Sequence, residues 1–203
     1  SLYFERKGSV SAELHRIDAW LSPFRSESVV SALRRGEVTR AQCPDPVQRV
    51  IDACDELRAK TAGSFDPWSM PGGFDPCGYV KGWGADRAVE ILADHGLVNA
   101  SVNAAGDVSC RGQAREDLDG WCIGISDPCD RTQVLATVIV RDAHVATSGV
   151  AERGNHVRSP GGGTLSALAA TVLHPDGGTA DALATDLLVR GAAGLADLCA
   201  EGG

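Results

Sequence analysis

No stretch of this chain approaches the roughly 20 consecutive apolar residues that a membrane-crossing helix needs. The first residues carry no charged, apolar and small-residue leader pattern either. The opening SLYFERKG reads poorly as structure, and residues 1–11 are expected to be a remnant of an expression tag or the edge of a trimmed strand. A targeting signal lying further upstream would have been lost with such trimming. Basic clusters are also missing beyond the pair Arg34 and Arg35, and the net charge is −8. That balance argues against nucleic acid as the main partner. An acidic chain that binds phosphate needs local help from backbone N–H groups, a lysine or a metal ion.

The seven cysteines form no C-x-x-C pair, are odd in number and lie far apart, so neither a zinc site nor a disulfide framework is indicated. A reducing compartment, hence a cytoplasmic location, is the simplest expectation. No G-x-G-x-x-G follows a strand-like run, and no Walker lysine pattern occurs, which leaves two common nucleotide-binding folds unsupported. Long internal repeats and linkers are absent too. With 203 residues, 43% of them hydrophobic and 23% charged, the chain is expected to fold as one globular domain spanning 1–203.

Periodicity and breakers outline the elements. A first helix is expected over Ala12–Leu21, stopping near Pro23. A second covers Pro46–Lys60 with Asp45 as N-cap, and its Val47, Val50, Ile51, Cys54 and Leu57 follow the 3.6-residue period, which places Cys54 in the core. A third begins near Val80 and stops at Gly96. Strands are expected at Ala100–Asn103, Trp121–Ser126, Val134–Val140, His144–Thr147 and Leu165–Leu173, and two helices starting at Thr179 and about Ala192 close the chain. Helices and strands come in blocks, which points to an α+β fold with a largely antiparallel sheet and flanking helices.

The helix TADALATDLLVRG poses the sharpest question. Asp181 and Thr185 stand four residues apart, one turn above the other on one face. A first-turn acid after a Thr179 N-cap, with Thr185 returning its hydroxyl to the carbonyl one turn back, accounts for both. Two oxygens converging on a hard cation are the alternative. Elsewhere, glycine sits beside Asp, Ser or Asn in several clusters, each of which taken alone reads first as a turn.

In order along the chain, those clusters are SPFRSES (Ser22–Ser28), GSFDP, DPCGYVKG, AAGD, TSG, HVRSP and DALAT. This series resembles the ApbE family of FAD:protein FMN transferases, whose pattern runs through a Ser-x-Tyr/Phe segment, Gly-x-Phe-Asp-Pro, Asp-Leu-Gly-Gly-Ile-Ala-Lys-Gly, Gly-Gly-Asp, Thr-Ser-Gly, His-Ile-Ile-Asp-Pro and Asp-Ala-x-Ala-Thr. The resemblance implies an ApbE-like fold. It also implies an enzyme that moves FMN from FAD to a Thr or Ser hydroxyl of an acceptor protein, releasing AMP. FAD pyrophosphatase activity and FAD storage without chemistry are the alternatives.

By the same resemblance, Asp181 and Thr185 are ligands of Mg²⁺, with the backbone carbonyl near Val80 as a third, and Asp181 and His156 are the catalytic candidates. Phe24 is placed against the flavin ring, its alternative being core packing. Phe65 and Asp66 shape the flavin pocket or form a helix-ending turn. Lys81 meets phosphate at a helix start or is a solvated surface lysine. Gly106 and Asp107 serve FAD hydroxyls, and Thr147, Ser148 and Gly149 serve the flavin or pyrophosphate, each set being otherwise a plain turn. His156 also belongs to the FAD-binding set. Relatives are often exported and lipid-anchored, which is the alternative to a cytoplasmic location.

The chain departs from the family pattern at several points. Ser159 stands at the acid of His-Ile-Ile-Asp-Pro, with Val157 and Arg158 between. Cys77 stands in the Gly-Gly pair, Ala105 in Gly-Gly-Asp, and Arg34 where asparagine is frequent. No early Met-Gly-Thr strand precedes Ala12.

Overall fold

The computed structural model describes residues 2–149 and 165–201. Helices α1 (Leu2–Leu21), α2 (Val29–Arg34), α3 (Asp45–Lys60) and α4 (Cys77–Asp94) come first. Strands β1 (Ala100–Ala104), β2 (Asp107–Arg111), β3 (Trp121–Ser126), β4 (Val134–Val140), β5 (Ala143–Gly149) and β6 (Ala169–His174) follow. Helices α5 (Gly177–Arg190) and α6 (Ala192–Glu201) complete the described chain. The α+β expectation holds: all described strand pairs are antiparallel, in a four-stranded sheet of order β1-β2-β5-β6 and a separate β3-β4 ribbon.

Several boundaries differ from the sequence reading, each for a local reason. From Leu2 onward the opening residues belong to α1 as helix and not to a strand edge. Pro44, not Asp45, caps α3, and Asp45 enters the first turn, where an acid suits the helix dipole. Helix α4 begins three residues before Val80, because the Asp75 carboxylate accepts the N–H of Cys77 at 3.0 Å and starts the helix there. Likewise Asp176, not Thr179, caps α5 by accepting the Thr179 N–H at 2.7 Å. Asp181 therefore lies beyond the first turn. The strand expected over Leu165–Leu173 runs instead over Ala169–His174, and α2 and β2 are elements that the sequence reading did not include.

Helix α5 is the axis of the molecule. All its residues except Thr179 and Arg190 are buried, so no polar face is left for solvent. On one side Ala182 joins the helical core of α1, α2 and α3, which includes Leu21, Val30, Val50, Ile51 and Phe74. On the other, Ala180 and Ala184 pack on Ala146 of β5. Cys54 is fully buried in the helical core, as its stripe predicted. Burial above all, with the charges of Asp55, Asp181 and Asp75 adding to it, pushes its thiol well above the usual range.

The two-residue period of the strands divides their side chains between two layers. Val108, Cys110 and Val145 pack with Val140, Trp121 and Ile123 of the β3-β4 ribbon. Asp107, Ser109, His144 and Ser148 point the other way, towards α4 and α5. The sheet's helix-facing layer is thus unusually polar, and the helices meet it with Lys81, Asp86, Asp181 and Thr185.

Helices α4 and α5 touch backbone to backbone. A Cβ on Gly82 would lie 1.9 Å from the Gly177 carbonyl oxygen, whereas one on Gly84 would make only ordinary contacts at 3.8 Å with Ile17 and Leu14. Gly82→Ala is therefore expected to destabilise the fold by about 1–3 kcal/mol through overpacking. Gly84→Ala should stabilise it by roughly 0.5–1 kcal/mol through helix propensity. Urea unfolding midpoints of the two variants check this, and equal shifts of one sign would refute the contact.

Candidate active site

A cavity of about 680 Å³ opens between the end of α1, the Phe65–Pro67 turn and the start of α4. That volume is within the usual range of small-molecule and cofactor sites. Its wall carries Phe24, Phe65, Asp66, Val80, Lys81 and Thr185 among others. Phe24 is 87% exposed, which removes core packing as the reason for an aromatic residue there. Its turn is held from below: Ser28 Oγ donates to the Ser22 carbonyl at 2.6 Å and accepts the Ser31 N–H at 3.0 Å, capping α2. The turn after α3 is equally pinned. Phe65 is buried in the helical core, Asp66 pairs with Arg58 at 2.9 Å, and Ser64 Oγ donates to the buried Asp186 carboxylate of α5.

At the back of this cavity lies a cluster of charge. Lys81 Nζ donates to Asp107 Oδ2 and, at 3.2 Å, to Asp181 Oδ1. Both carboxylates are 1% exposed and the lysine 32%. Asp107 Oδ1 also accepts the Thr147 N–H at 3.3 Å. Lys81 is therefore neither at a free helix start nor a solvated surface residue; it stands in the second turn of α4 and ties β2 to α5. Asp107, expected to meet FAD hydroxyls, is turned inward instead, because its place on β2 faces the helices.

Thr185 Oγ1 donates to the Asp181 carbonyl at 3.2 Å, so the back-bonded arrangement open to it from sequence is the one formed. Its oxygen also lies 3.2 Å from Ser148 Oγ. With the Thr185 hydroxyl already donating, Ser148 is the donor of that contact, and one Thr185 lone pair remains. The residues present fit a hard cation on two counts. Two buried carboxylates share one ammonium, leaving a net negative charge, and the nearby donors are oxygens, the set Mg²⁺ selects. Among the described residues no three His, Cys, Asp or Glu side chains form a metal-binding group. The Val80 carbonyl lies within α4, so a ligand role there would use its second lone pair.

The remaining candidates separate. Thr147 and Gly149 line a second cavity of about 380 Å³ on the opposite face of the sheet, between it and the β3-β4 ribbon, while Ser148 points to Thr185. Strand alternation splits this triplet, which sequence had grouped on one ligand. Gly106 lines the second cavity and its neighbour Ala105 the first, so the β1-β2 turn stands between the two. Ala105 and Gly106 both have positive φ, 54° and 102°, the pair of values a tight hairpin turn of this kind requires. That explains a glycine pair in the family motif and marks Ala105 as the strained departure. His156 and its motif lie outside the described residues. Sequence reasoning missed the ion triad as a unit, because its members are 26 and 74 residues apart along the chain.

Removing the shared ammonium should be costly, since the two carboxylates would then face each other unpaired. Lys81→Met is expected to lose about 3 kcal/mol of stability. Adding Asp107→Asn to it should restore part of the loss, measured by chemical denaturation of the single and double variants. A surface lysine would give no loss and no recovery.

A profile of the ApbE family matches residues 68–202. Over 82 residues the chain is 37% identical to an FAD:protein FMN transferase of Treponema pallidum (strain Nichols), a match covering 36% of this chain and 23% of that protein. The chain thus spans less than a quarter of the length of the curated relative it matches. In fold it is similar to the flavin transferase ApbE from Vibrio cholerae, with a TM-score of 0.82 at 21% identity over 98% of this chain and 82% of that one. The ApbE protein of Thermotoga maritima superposes with a TM-score of 0.85 at 20% identity over 98% of this chain and 84% of that one. Five of the seven motif segments, DPCGYVKG onward, fall inside the profile match, while SPFRSES and GSFDP precede it. Profile, fold and motif order agree, and the chain belongs to the ApbE family.

Proposed function

We propose that this chain transfers FMN from FAD to a Thr or Ser hydroxyl of an acceptor protein, with Mg²⁺, and releases AMP. The observation that carries the reading is the place of the Lys81–Asp107–Asp181 cluster with Thr185, at the back of a cavity whose rim is aromatic and apolar. Family membership supports the flavin chemistry.

In the proposed reaction the acceptor hydroxyl oxygen bonds to the phosphorus on the FMN side of the pyrophosphate. The bond from that phosphorus to the bridging oxygen breaks, and AMP leaves with the oxygen and its electron pair. The hydroxyl proton passes to a base or to solvent. Asp181, Thr185 and the Val80 carbonyl would hold Mg²⁺, whose charge would offset that developing on the pyrophosphate. Lys81 keeps the two carboxylates together in the absence of substrate and presents a cation to phosphate from the cavity wall. Phe24 offers an exposed apolar face to the flavin ring, while Phe65 and Asp66 hold the floor of the pocket. Ser148 orients the Thr185 hydroxyl. Gly106, Thr147 and Gly149 belong to the second cavity and are proposed to contact the far part of FAD across the β1-β2 turn. His156 is proposed, on its motif position, to contact substrate or to handle the hydroxyl proton. The seven cysteines are scattered, odd in number and form no C-x-x-C pair, and a reducing compartment is proposed on that ground.

The test is a time course of AMP and free FMN from FAD and Mg²⁺, with a threonine-bearing flavinylation domain as acceptor. AMP without matching FMN, together with a fluorescent acceptor band, is the expected result. AMP and FMN rising together would mean that water is the acceptor, and absence of both would leave a flavin binder. Asp181→Ala is expected to lower the Mg²⁺-dependent rate at least a hundredfold, the scale of losing an electrostatic group from a transfer site. Unchanged turnover would end the metal assignment.

A further inference from the structure

Asp86 lies on α4, five residues after Lys81, and is used by nothing in the proposed reaction. Its carboxylate nevertheless joins four elements. Oδ1 accepts from Ser109 Oγ of β2 at 2.6 Å and from His144 Nδ1 of β5 at 3.1 Å. Oδ2 accepts the N–H of Gly177, the first residue of α5, at 2.6 Å. A negative group at that helix start is favoured by the dipole as well as by the hydrogen bond. None of these residues lines either cavity.

His144 adds a second observation to this contact. The imidazole is fully buried, and among the described residues its Nε2 meets no partner. With Nδ1 engaged by the Asp86 carboxylate, a second ring nitrogen without a partner among the described residues costs stability that an apolar side chain of similar size would not. The ring is accounted for by what its other nitrogen does. The glycines agree. A Cβ on Gly177 would lie 2.5 Å from the Gly82 carbonyl oxygen, 2.6 Å from His144 Nδ1 and 2.8 Å from Asp86 Oδ2. Carboxylate, imidazole and bare backbone close on one point between α4 and α5.

That point is one step below the charge cluster on both helices. Lys81 is five residues from Asp86, about 7.5 Å along α4, and Asp181 is four residues from Gly177, about 6 Å along α5. We propose that Asp86, oriented by His144, is a positioning residue that sets the height of α5 against α4. It thereby sets the spacing of Lys81 from Asp181 and Thr185, and with it the affinity of the site for a divalent cation. The proposal rests on the reading that Asp181 and Thr185 hold that cation.

The test uses the whole chain and Mn²⁺ as a spectroscopic probe for the Mg²⁺ site, with free Mn²⁺ read by electron paramagnetic resonance. Asp86→Asn places an amide donor among three donors. It is expected to unfold cooperatively but to bind Mn²⁺ on the order of tenfold more weakly, the effect of losing a group that orients metal ligands. The Mg²⁺ concentration for half-maximal turnover should rise by the same factor, with the rate at saturating Mg²⁺ within about threefold of the parent, a shift in affinity and not in chemistry. His144→Phe removes both the Nδ1 contact and the unpartnered nitrogen, and should weaken Mn²⁺ binding even if its melting temperature rises. If Asp86→Asn does not fold, His144→Phe decides. Parent-like Mn²⁺ affinity in every folded variant, with only the melting temperature moved, overturns the positioning role. A parent protein that binds no Mn²⁺ overturns the cation reading itself and the role of Asp86 with it.

Discussion

Two carboxylates that water cannot reach, Asp107 and Asp181, are held together by one lysine. Everything around the candidate site is arranged to make that tolerable. Buried charges of one sign repel strongly in a medium less polarisable than water, so the ammonium must be delivered to both at once. This requires α4, β2 and α5 to meet within the reach of a single side chain. They do so because Gly82 and Gly177 let the two helices touch backbone to backbone, and because Asp86 fastens the start of α5 to α4. The triad still carries excess negative charge, which suits the proposed divalent cation and disfavours an apolar ligand at that end of the cavity.

The antiparallel sheet contributes by separation. Its ribbon-facing layer packs Val108, Cys110 and Val145 into a small apolar core, while its helix-facing layer presents Asp107, Ser109, His144 and Ser148. A single strand, β5, thus supplies Thr147 to one cavity and Ser148 to the wall of the other. The β1-β2 turn, with Ala105 on one side and Gly106 on the other, stands at the edge common to both. A long ligand with chemically different ends would find an aromatic, partly charged cavity on one side of that turn and a more polar slot on the other.

Much of this was legible in the order of residues. The stripe on α3, the strands Trp121–Ser126 and Val134–Val140 and the antiparallel α+β class follow from local periodicity and turn chemistry, which depend only on near neighbours in the chain. So did the family, because seven short motifs in one order are specific even when each is weak. The face shared by Asp181 and Thr185 also follows from helical spacing alone.

What the residues did once buried belongs to the tertiary structure. Sequence left Lys81 between phosphate contact and solvent, and packing tied it to two carboxylates. Asp107 sat in a turn motif that suggested an outward role, and the register of β2 turned it inward. Thr147, Ser148 and Gly149 read as one loop, and strand alternation sent them to opposite faces. His144 had nothing beside it to suggest a role, and its meaning appears only when Asp86, 58 residues earlier in the chain, closes on it. Local order determines which backbone groups pair and which side chains share a face. Which charges meet is decided only when distant segments are pressed together and water is removed, since only then does an unpaired charge become expensive enough to choose its partner.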